Sequence, residues 1–119
     1  MIIDGELLDH NKYINLTRSN KYLGAKAKKE ATETVAYYTV SNALKKIDKK
    51  VDVKVTHYCK NRRKDKDNIA FTIKFILDGL ILGGIIDNDG WNEIGKLEFD
   101  FKVDKENPRI KVELTETEG

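Results

Sequence analysis

The chain has 119 residues, of which 39% are hydrophobic and 35% charged, and 22 basic and 20 acidic residues give a formal net charge of +2. This length is typical of one domain, and we expect residues 1–119 to form a single domain. The longest apolar stretch, residues 79–86, is too short to span a membrane, and the N-terminal residues lack the pattern of a secretory signal. The single cysteine, Cys59, cannot form an intrachain disulfide. We therefore expect a cytoplasmic protein with no membrane partner.

The hydrophobic pattern predicts six elements in the order β-α-β-α-β-β. Residues 1–8 predict a first strand, residues 9–22 a polar loop with a functional surface, and residues 25–47 a long helix. Alternating residues predict a half-buried strand over 51–59, and the dense apolar run over 69–77 favours a second helix, with a strand as the alternative. Residues 97–103 and 110–114 alternate on either side of a turn and predict a hairpin. The predicted class is α+β, a mixed or antiparallel sheet with two helices packed on one face.

Charge is unevenly distributed along the chain. Residues 1–66 contain 16 basic and 8 acidic residues, whereas residues 67–119 contain 6 and 12. Residues 45–66 alone contain ten cations and three acids. Such a concentration is typical of a surface that binds a polyanion, and a solvated basic face kept for solubility is the alternative.

Several chemistries are disfavoured by missing motifs. The chain contains neither of the glycine-rich phosphate-binding motifs, no serine-hydrolase motif and no CxxC pair, so we expect no nucleotide cofactor. His57 and Cys59 lie two residues apart on one face of a predicted strand, but the only other histidine is His10 and there is no second cysteine. A packed core pair is therefore favoured over a zinc site.

Four aspartates follow cationic or apolar segments and form the main candidate site. Asp65 and Asp67 lie beside the run Arg62-Arg63-Lys64, and Asp87 and Asp89 follow the apolar stretch some twenty residues later. A few carboxylates from two loops, with room left for water and a phosphate, match what Mg²⁺ requires. The alternative is structural, since aspartates also cap helices and make turns.

These residues resemble the RusA family of Holliday junction resolvases, small dimeric endonucleases common in phages and prophages. The most specific match is Arg62-Arg63-Lys64-Asp65-Lys66-Asp67-Asn68, similar to the family's basic run leading into Asp-x-Asp-Asn. Residues 74–80 resemble its Lys-x-x-x-Asp-[Ala/Gly]-Leu, and Asn88-Asp89 falls where its Asp-Asp pair stands. Residues 51–59 and 109–116 also look like the family, and Asn11-Lys12-Tyr13 is a weaker match to its Asn-rich loop.

The resemblance implies a Mg²⁺-dependent endonuclease, with Mn²⁺ as a substitute, that resolves Holliday junctions by paired symmetric nicks in opposed strands. It implies Asp65, Asp67 and Asp89 as catalytic metal ligands, with Asp87 as a substitute ligand because Asn88 replaces the first acid of the pair. It also implies a homodimer acting on four-way junction DNA, in the bacterial host cytoplasm if phage or prophage encoded. The phosphate contacts that we predict are Lys60, Arg62, Arg63, Lys64 and Lys66.

The resemblance further implies Lys74 as the catalytic helper, although it lies three residues further from Asp67 than in the best-known members of the family. On one continuous helix, seven residues turn about 700°, which puts Lys74 on the same face as Asp67. An i,i+4 contact with Asp78 would hold its ammonium, and an exposed surface lysine is the alternative.

Two rival functions remain. One is a non-catalytic protein of the same fold that binds branched or double-stranded DNA, with Asn88 as the feature that favours it. The other is a phosphohydrolase for small phosphate esters, which the ten clustered cations disfavour because a small substrate does not need them.

Overall fold

The computed structural model describes residues 1–117, which contain four strands and four helices. The strands are β1 (Ile2–Asp4), β2 (Val51–Cys59), β3 (Ile94–Val103) and β4 (Arg109–Glu116). The helices are α1 (His10–Ser19), α2 (Lys21–Ser41), α3 (Lys66–Ala70) and α4 (Ile73–Leu82). The α+β class is confirmed. Within the described residues, no helix combines the length and the apolar character that a membrane crossing requires.

The strands form one mixed sheet in the spatial order β1-β4-β2-β3. β4 pairs antiparallel with both β1 and β2, whereas β3 pairs parallel with β2. The predicted hairpin of the last two strands is therefore wrong, because β2 lies between them. After β3, Asp104 donates its N–H to the Cys59 carbonyl at 2.8 Å, so the chain crosses the end of β2 before β4 begins. An alternating pattern shows where a strand lies but not which neighbour it chooses.

The core lies between the sheet and two of the helices. One cluster of buried side chains joins Val35 of α2 and Leu80 of α4 to Val53 and Val55 of β2. The two helices approach closely at Gly79, where an added Cβ would overlap the Val35 side chain. Two helices, α2 and α4, therefore pack against the sheet, although the described residues form four helices where the sequence predicts two.

A helix that the sequence pattern does not predict, α1, occupies most of the segment expected to be a loop. Its first turn is capped by Asp9, whose carboxylate accepts the Lys12 N–H at 2.8 Å. Asn20 ends α1 and caps α2, accepting the Tyr22 N–H at 2.8 Å. None of the residues of α1 is fully buried: its apolar side chains Tyr13, Ile14 and Leu16 share one side of the helix but are only half-buried, so this short amphipathic pattern is easily missed among polar residues.

The second predicted helix, over 69–77, is divided into α3 and α4, and the other elements differ from the predictions only at their ends. β2 has the predicted bounds, whereas β1 ends at Asp4 and is shorter than expected. α2 begins before the predicted Ala25 and ends at Ser41, short of the predicted Ile47. The chain leaves this helix at Ala43, which has a positive φ of 52°.

Candidate active site

The predicted cationic segment is divided by β2 into two separate groups. Lys45, Lys46, Lys49 and Lys50 precede the strand, and Lys60, Arg62, Arg63, Lys64 and Lys66 follow it. At about 3.3 Å per residue, the nine residues of β2 hold the two groups about 27 Å apart. Only the second group, which we call the basic loop (residues 60–66), adjoins the aspartates at the start of α3.

The N-terminal segment fixes the basic loop through an ion pair. The Lys64 ammonium lies 2.8 Å from Asp9 Oδ2, and the Asp9 side chain is only 10% exposed. Burial raises the pKa of Asp9, but hydrogen bonds from Lys64 and from the Lys12 N–H outweigh it and leave the pKa below its ordinary value. The hydrogen bond to Asp9 in turn raises the pKa of Lys64. Lys64 is thus engaged by a carboxylate of its own chain rather than free for a phosphate.

A second contact ties the same two segments together. The buried Asn68 side chain accepts the Asn11 N–H at 2.8 Å, which joins the first turn of α1 to α3. Asp9 and Asn68 were not singled out from the pattern as site residues. Their signal lies in the sequence, since Asp9 stands at an N-cap position and Asn68 closes the Asp-x-Asp-Asn motif.

Two of the predicted metal ligands, Asp65 and Asp67, lie together at the start of α3. Both are exposed, and neither takes part in an ion pair or a side-chain hydrogen bond among residues 1–117. Asp65 lines an open cleft of about 520 Å³ together with Arg62, Lys66 and Phe101. Arg62, Arg63 and Lys66 have no acidic partner in the described part of the chain. This cleft therefore combines free carboxylates with free cations.

The third predicted ligand, Asp89, lies at the opposite end of the strands from Asp65. It lines a surface cavity with Gly95 and Leu97 at the N-terminal end of β3, whereas Asp65 lies near Phe101 and the C-terminal end of that strand. Because β3 runs parallel to β2, the loop before β3 and the loop after β2 lie at opposite ends of these two strands. No three His, Cys, Asp or Glu side chains in residues 1–117 are grouped to hold a metal. The expected cluster of Asp65, Asp67 and Asp89 is therefore not formed within one chain.

The suggested substitute ligand Asp87 lies away from the cleft as well. Its carboxylate is 3.1 Å from the Lys46 ammonium, in the group of cations before β2. The hydrogen bond to Asp87 raises the pKa of Lys46. Asp87 is therefore paired with Lys46 at the other end of the strands from Asp65. It does not replace the missing acid at position 88 as a ligand near Asp65.

Lys74 lies on α4, and the helix that was expected to carry both it and Asp67 is interrupted. α3 ends at Ala70 and α4 begins at Ile73. Across the intervening turn the Thr72 N–H bonds to the Ile69 carbonyl and the Lys74 N–H to the Phe71 carbonyl, each three residues back. Such bonds wind the chain more tightly than an α-helix, so the calculation of a shared face at 100° per residue does not apply. The predicted contact with Asp78 is confirmed at 3.3 Å.

The interruption between α3 and α4 is held by a buried histidine. Thr72 is 2% exposed, and its hydroxyl lies 3.3 Å from His57 Nε2. Burial lowers the pKa of His57 to about 4, and its ring stacks on Phe101 with centroids 5.5 Å apart. Cys59 is buried beside the same strand end and is a free thiol whose pKa burial raises. His57 and Cys59 are packed core residues, as expected.

A family profile described as Endodeoxyribonuclease RusA matches residues 6–115. The chain belongs to the RusA family. The match runs from before α1 through most of β4, so the cleft, the basic loop and the loop before β3 all lie within it. A comparison with curated proteins gives no match.

Of the three aspartates that the RusA-family motif contributes, two are placed where they could bind a hard metal ion together. Asp65 and Asp67 offer exposed, unpartnered carboxylate oxygens, which are the ligands that Mg²⁺ prefers. Asp89 of the same chain lies too far along β3 to join them. A complete set of three aspartates therefore requires a second source of Asp89.

Proposed function

We propose that this RusA-family protein is a Mg²⁺-dependent endonuclease that resolves four-way DNA junctions, with Mn²⁺ as a substitute metal. The observation that carries the proposal is the cleft at the start of α3, which is lined by free Asp65, Arg62 and Lys66, with free Asp67 two residues further along in the first turn of the helix. Paired carboxylates next to uncompensated cations suit a phosphodiester, because the cations hold phosphate oxygens and the carboxylates hold a metal. A bound Mg²⁺ would supply activated water and neutralise charge on the phosphate.

The protein's own part in the reaction is positioning and charge. Arg62, Arg63 and Lys66 hold backbone phosphates at the cleft, while Lys64 secures the loop to Asp9. Lys74 is the proposed helper that stabilises charge on the phosphate oxygens, and Asp78 restrains its ammonium at 3.3 Å.

We further propose that the active form is a homodimer joined through β3. This strand is the edge of the sheet, and its apolar side chains remain open to solvent: Leu97 is 44% exposed, Phe99 37% and Val103 48%. A long edge strand with exposed apolar residues is a pairing surface unless it is blocked. A second copy is the occupant that the pattern fits, because the side chains of β3 are self-complementary.

The two-fold axis of such a pair would pass at Asp100, where the two Asp100 carboxylates face each other and repel, so the complementarity comes from the flanking positions. In an antiparallel pair with Asp100 on the two-fold axis, Glu98 would face Lys102 of the second copy and Lys96 would face Asp104 of the second copy. The apolar positions match as well, because Leu97 would lie opposite Val103 and Phe99 opposite Phe101. In the single chain, Asp100 Oδ1 accepts the Phe101 N–H at 2.9 Å, and pairing would exchange this bond for one between main chains.

Such a dimer would also complete the metal site. Antiparallel pairing places the C-terminal end of one β3, beside Asp65 and Asp67, against the N-terminal end of the other, beside its Asp89. Two identical sites related by a two-fold axis suit a four-way junction, which has approximate two-fold symmetry. Paired symmetric nicks in opposed strands follow from that match.

Cleavage of a synthetic four-way junction, compared with a linear duplex of the same sequence, tests the activity. We expect cutting of the junction with Mg²⁺ and none with a chelator. Asp67→Asn should abolish cutting and retain or strengthen junction binding, because it removes a negative charge beside the phosphate. Normal cutting by Asp67→Asn would show that this carboxylate is not a ligand.

The basic loop is tested separately. Replacing Arg62 and Arg63 with glutamine should weaken junction binding and flatten its salt dependence. The slope of log affinity against log salt should change by about 0.9 for each phosphate that the variant no longer neutralises. An unchanged slope would place the DNA footprint elsewhere on the protein.

Mixing two inactive variants tests the shared site. Asp67→Asn and Asp89→Asn should each be inactive, whereas their mixture should recover about a quarter of the wild-type sites, because half of the dimers are mixed and each has one intact site. Those dimers should make single nicks rather than paired ones. No recovery after confirmed subunit exchange would refute a site built from two chains.

The alternative function is binding of branched or double-stranded DNA without cleavage. It is favoured by Asn88, which replaces an acid of the family motif. It is also favoured because, among residues 1–117, no third carboxylate of the same chain lies in the cleft. Tight junction binding with no cutting in Mg²⁺ or Mn²⁺ would support this alternative and refute the endonuclease.

A further inference from the structure

A second cationic surface lies on α1 and the first half of α2, outside the basic loop. No acidic residue occurs from residue 10 to residue 29. The same stretch contains six cations, which are Lys12, Arg18, Lys21, Lys26, Lys28 and Lys29. A run of twenty residues with six positive charges and no negative charge is unusual in a chain of which 35% is charged and whose overall balance is nearly neutral.

Half of these cations are both exposed and unpaired. Lys26 and Lys29 lie 4.0 Å and 3.9 Å from acids one turn further along α2. Lys12, Arg18 and Lys21 are exposed and take part in none of the ion pairs formed by residues 1–117. Their charge is therefore available to an external anion.

The surface is fixed to the cleft rather than loosely attached. Asp9 and Asn11, at the start of α1, bond to Lys64 and Asn68 on the basic loop and α3. The Tyr13 ring lies 5.7 Å from that of Phe71, which adds an apolar contact at the same end of the helix.

The far end of α1 is fixed as well. α2 crosses α1 at Gly24, where an added Cβ would overlap the Thr17 hydroxyl. α1 buries no residue completely, and apart from its half-buried apolar residues such as Tyr13 its surface is open to solvent. At 1.5 Å per residue, its ten residues give α1 a length of about 15 Å, starting at the contacts with the basic loop and α3.

We propose that α1 and the start of α2 hold a duplex arm of the junction by its phosphates, through Lys12, Arg18 and Lys21. This inference rests on the proposed function, since the cleft determines that the ligand is DNA. Lys12 and Arg18 are six residues apart, about 9 Å along the helix axis and about 120° around it, and so can contact different phosphates of a duplex arm. From its start beside the basic loop, the 15 Å length of α1 corresponds to about four nucleotides at 3.4 Å each, which sets the stretch of one strand that these side chains can contact.

The test compares K12Q/R18Q/K21Q with two matched triple variants. K45Q/K49Q/K50Q removes the same charge from the cations that precede β2, at the opposite end of this strand from the basic loop. K12R/R18K/K21R keeps every charge on α1 and α2. Junction affinity is measured as a function of salt, and cleavage is measured under single turnover with saturating protein.

We expect K12Q/R18Q/K21Q to bind the junction at least tenfold more weakly, with a slope of log affinity against log salt flatter by about two to three. Its cleavage rate at saturation should stay near that of the wild type, because none of the three residues lies in the cleft. The K45Q/K49Q/K50Q and K12R/R18K/K21R variants should bind like the wild type, and circular dichroism shows whether each remains folded. A junction with neutral methylphosphonates over a stretch of about four nucleotides in the contacted arm should reduce the difference between the wild type and K12Q/R18Q/K21Q.

The outcomes separate this inference from the proposed function. Wild-type affinity and salt dependence in a folded K12Q/R18Q/K21Q would refute the arm contact, even if the wild type cuts junctions. An equal loss of affinity in K45Q/K49Q/K50Q would also refute it, because the effect would then reflect net charge alone. A wild-type protein that binds junctions but never cuts them would refute the endonuclease, while the comparison of affinities would still decide the arm contact.

Discussion

Replacing Asp9 with alanine should destabilise the protein by about 2–3 kcal/mol, because one carboxylate serves two partners. Its Oδ1 accepts the Lys12 N–H at 2.8 Å and caps α1, and its Oδ2 lies 2.8 Å from the Lys64 ammonium. Loss of an N-cap costs about 1 kcal/mol. The hydrogen bond to a charged partner contributes about 1–2 kcal/mol here, at the lower end of its range because the Lys64 side chain is 39% exposed and water screens the pair.

Asparagine at the same position separates the two contributions. Asp9→Asn keeps an oxygen that can cap α1 but removes the charge, so it should cost only the ion-pair part, about 1–2 kcal/mol. The free energy of unfolding, measured in urea for the wild type, Asp9→Asn, Lys64→Met and the double variant, gives the coupling energy between the two side chains. A coupling below about 0.5 kcal/mol would refute the argument that Asp9 secures the basic loop.

The free energy of unfolding at acidic pH provides an independent check on the role of Asp9. Because the pKa of Asp9 is lowered in the folded protein, its contribution is fully present above about pH 4, the value for an unfolded aspartate, and is lost as the pH falls through the lower folded value. The difference in stability between the wild type and Asp9→Asn should therefore shrink below pH 4. A constant difference between pH 7 and pH 3 would show that the carboxylate charge is not its source.

Three further predictions concern residues in and around the candidate site. Lys74→Ala should slow single-turnover cleavage by about one to three orders of magnitude and leave junction binding intact, whereas wild-type cleavage would make Lys74 a surface residue restrained by Asp78. Since burial lowers the pKa of His57 to about 4, the unfolded chain takes up a proton first as the pH falls below about 6.5, and the folded protein should lose up to about 1.4 kcal/mol per pH unit between pH 6.5 and 4. His57→Gln should remove that dependence in urea unfolding, and an unchanged slope would contradict the assigned pKa. Gly79→Ala should cost about 1–3 kcal/mol in urea unfolding because its Cβ overlaps Val35, and wild-type stability would show that α2 and α4 separate easily.

The local pattern of the sequence determined the elements that alternate or repeat strongly. β2 has the predicted bounds because residues at alternate positions from Val51 to Cys59 face the core. The α+β class and the contact between Lys74 and Asp78 also follow from short-range spacing. The resemblance at residues 62–68 depends only on consecutive residues, and the RusA match confirms the family that it indicates.

Only the tertiary structure decided which of these pieces meet. β4 lies between β1 and β2, and this choice depends on contacts between segments more than fifty residues apart, which no local pattern records. Because β2 and β3 pair in parallel, Asp89 lies at the opposite end of the strands from Asp65, although the sequence resemblance assigns both residues to one site. The ion pair of Asp9 with Lys64 likewise joins residues 55 positions apart and holds α1, a helix with only half-buried apolar residues, beside the basic loop. Spacing along the chain determines local conformation, whereas the positions of charged groups in space follow from which apolar faces are buried together.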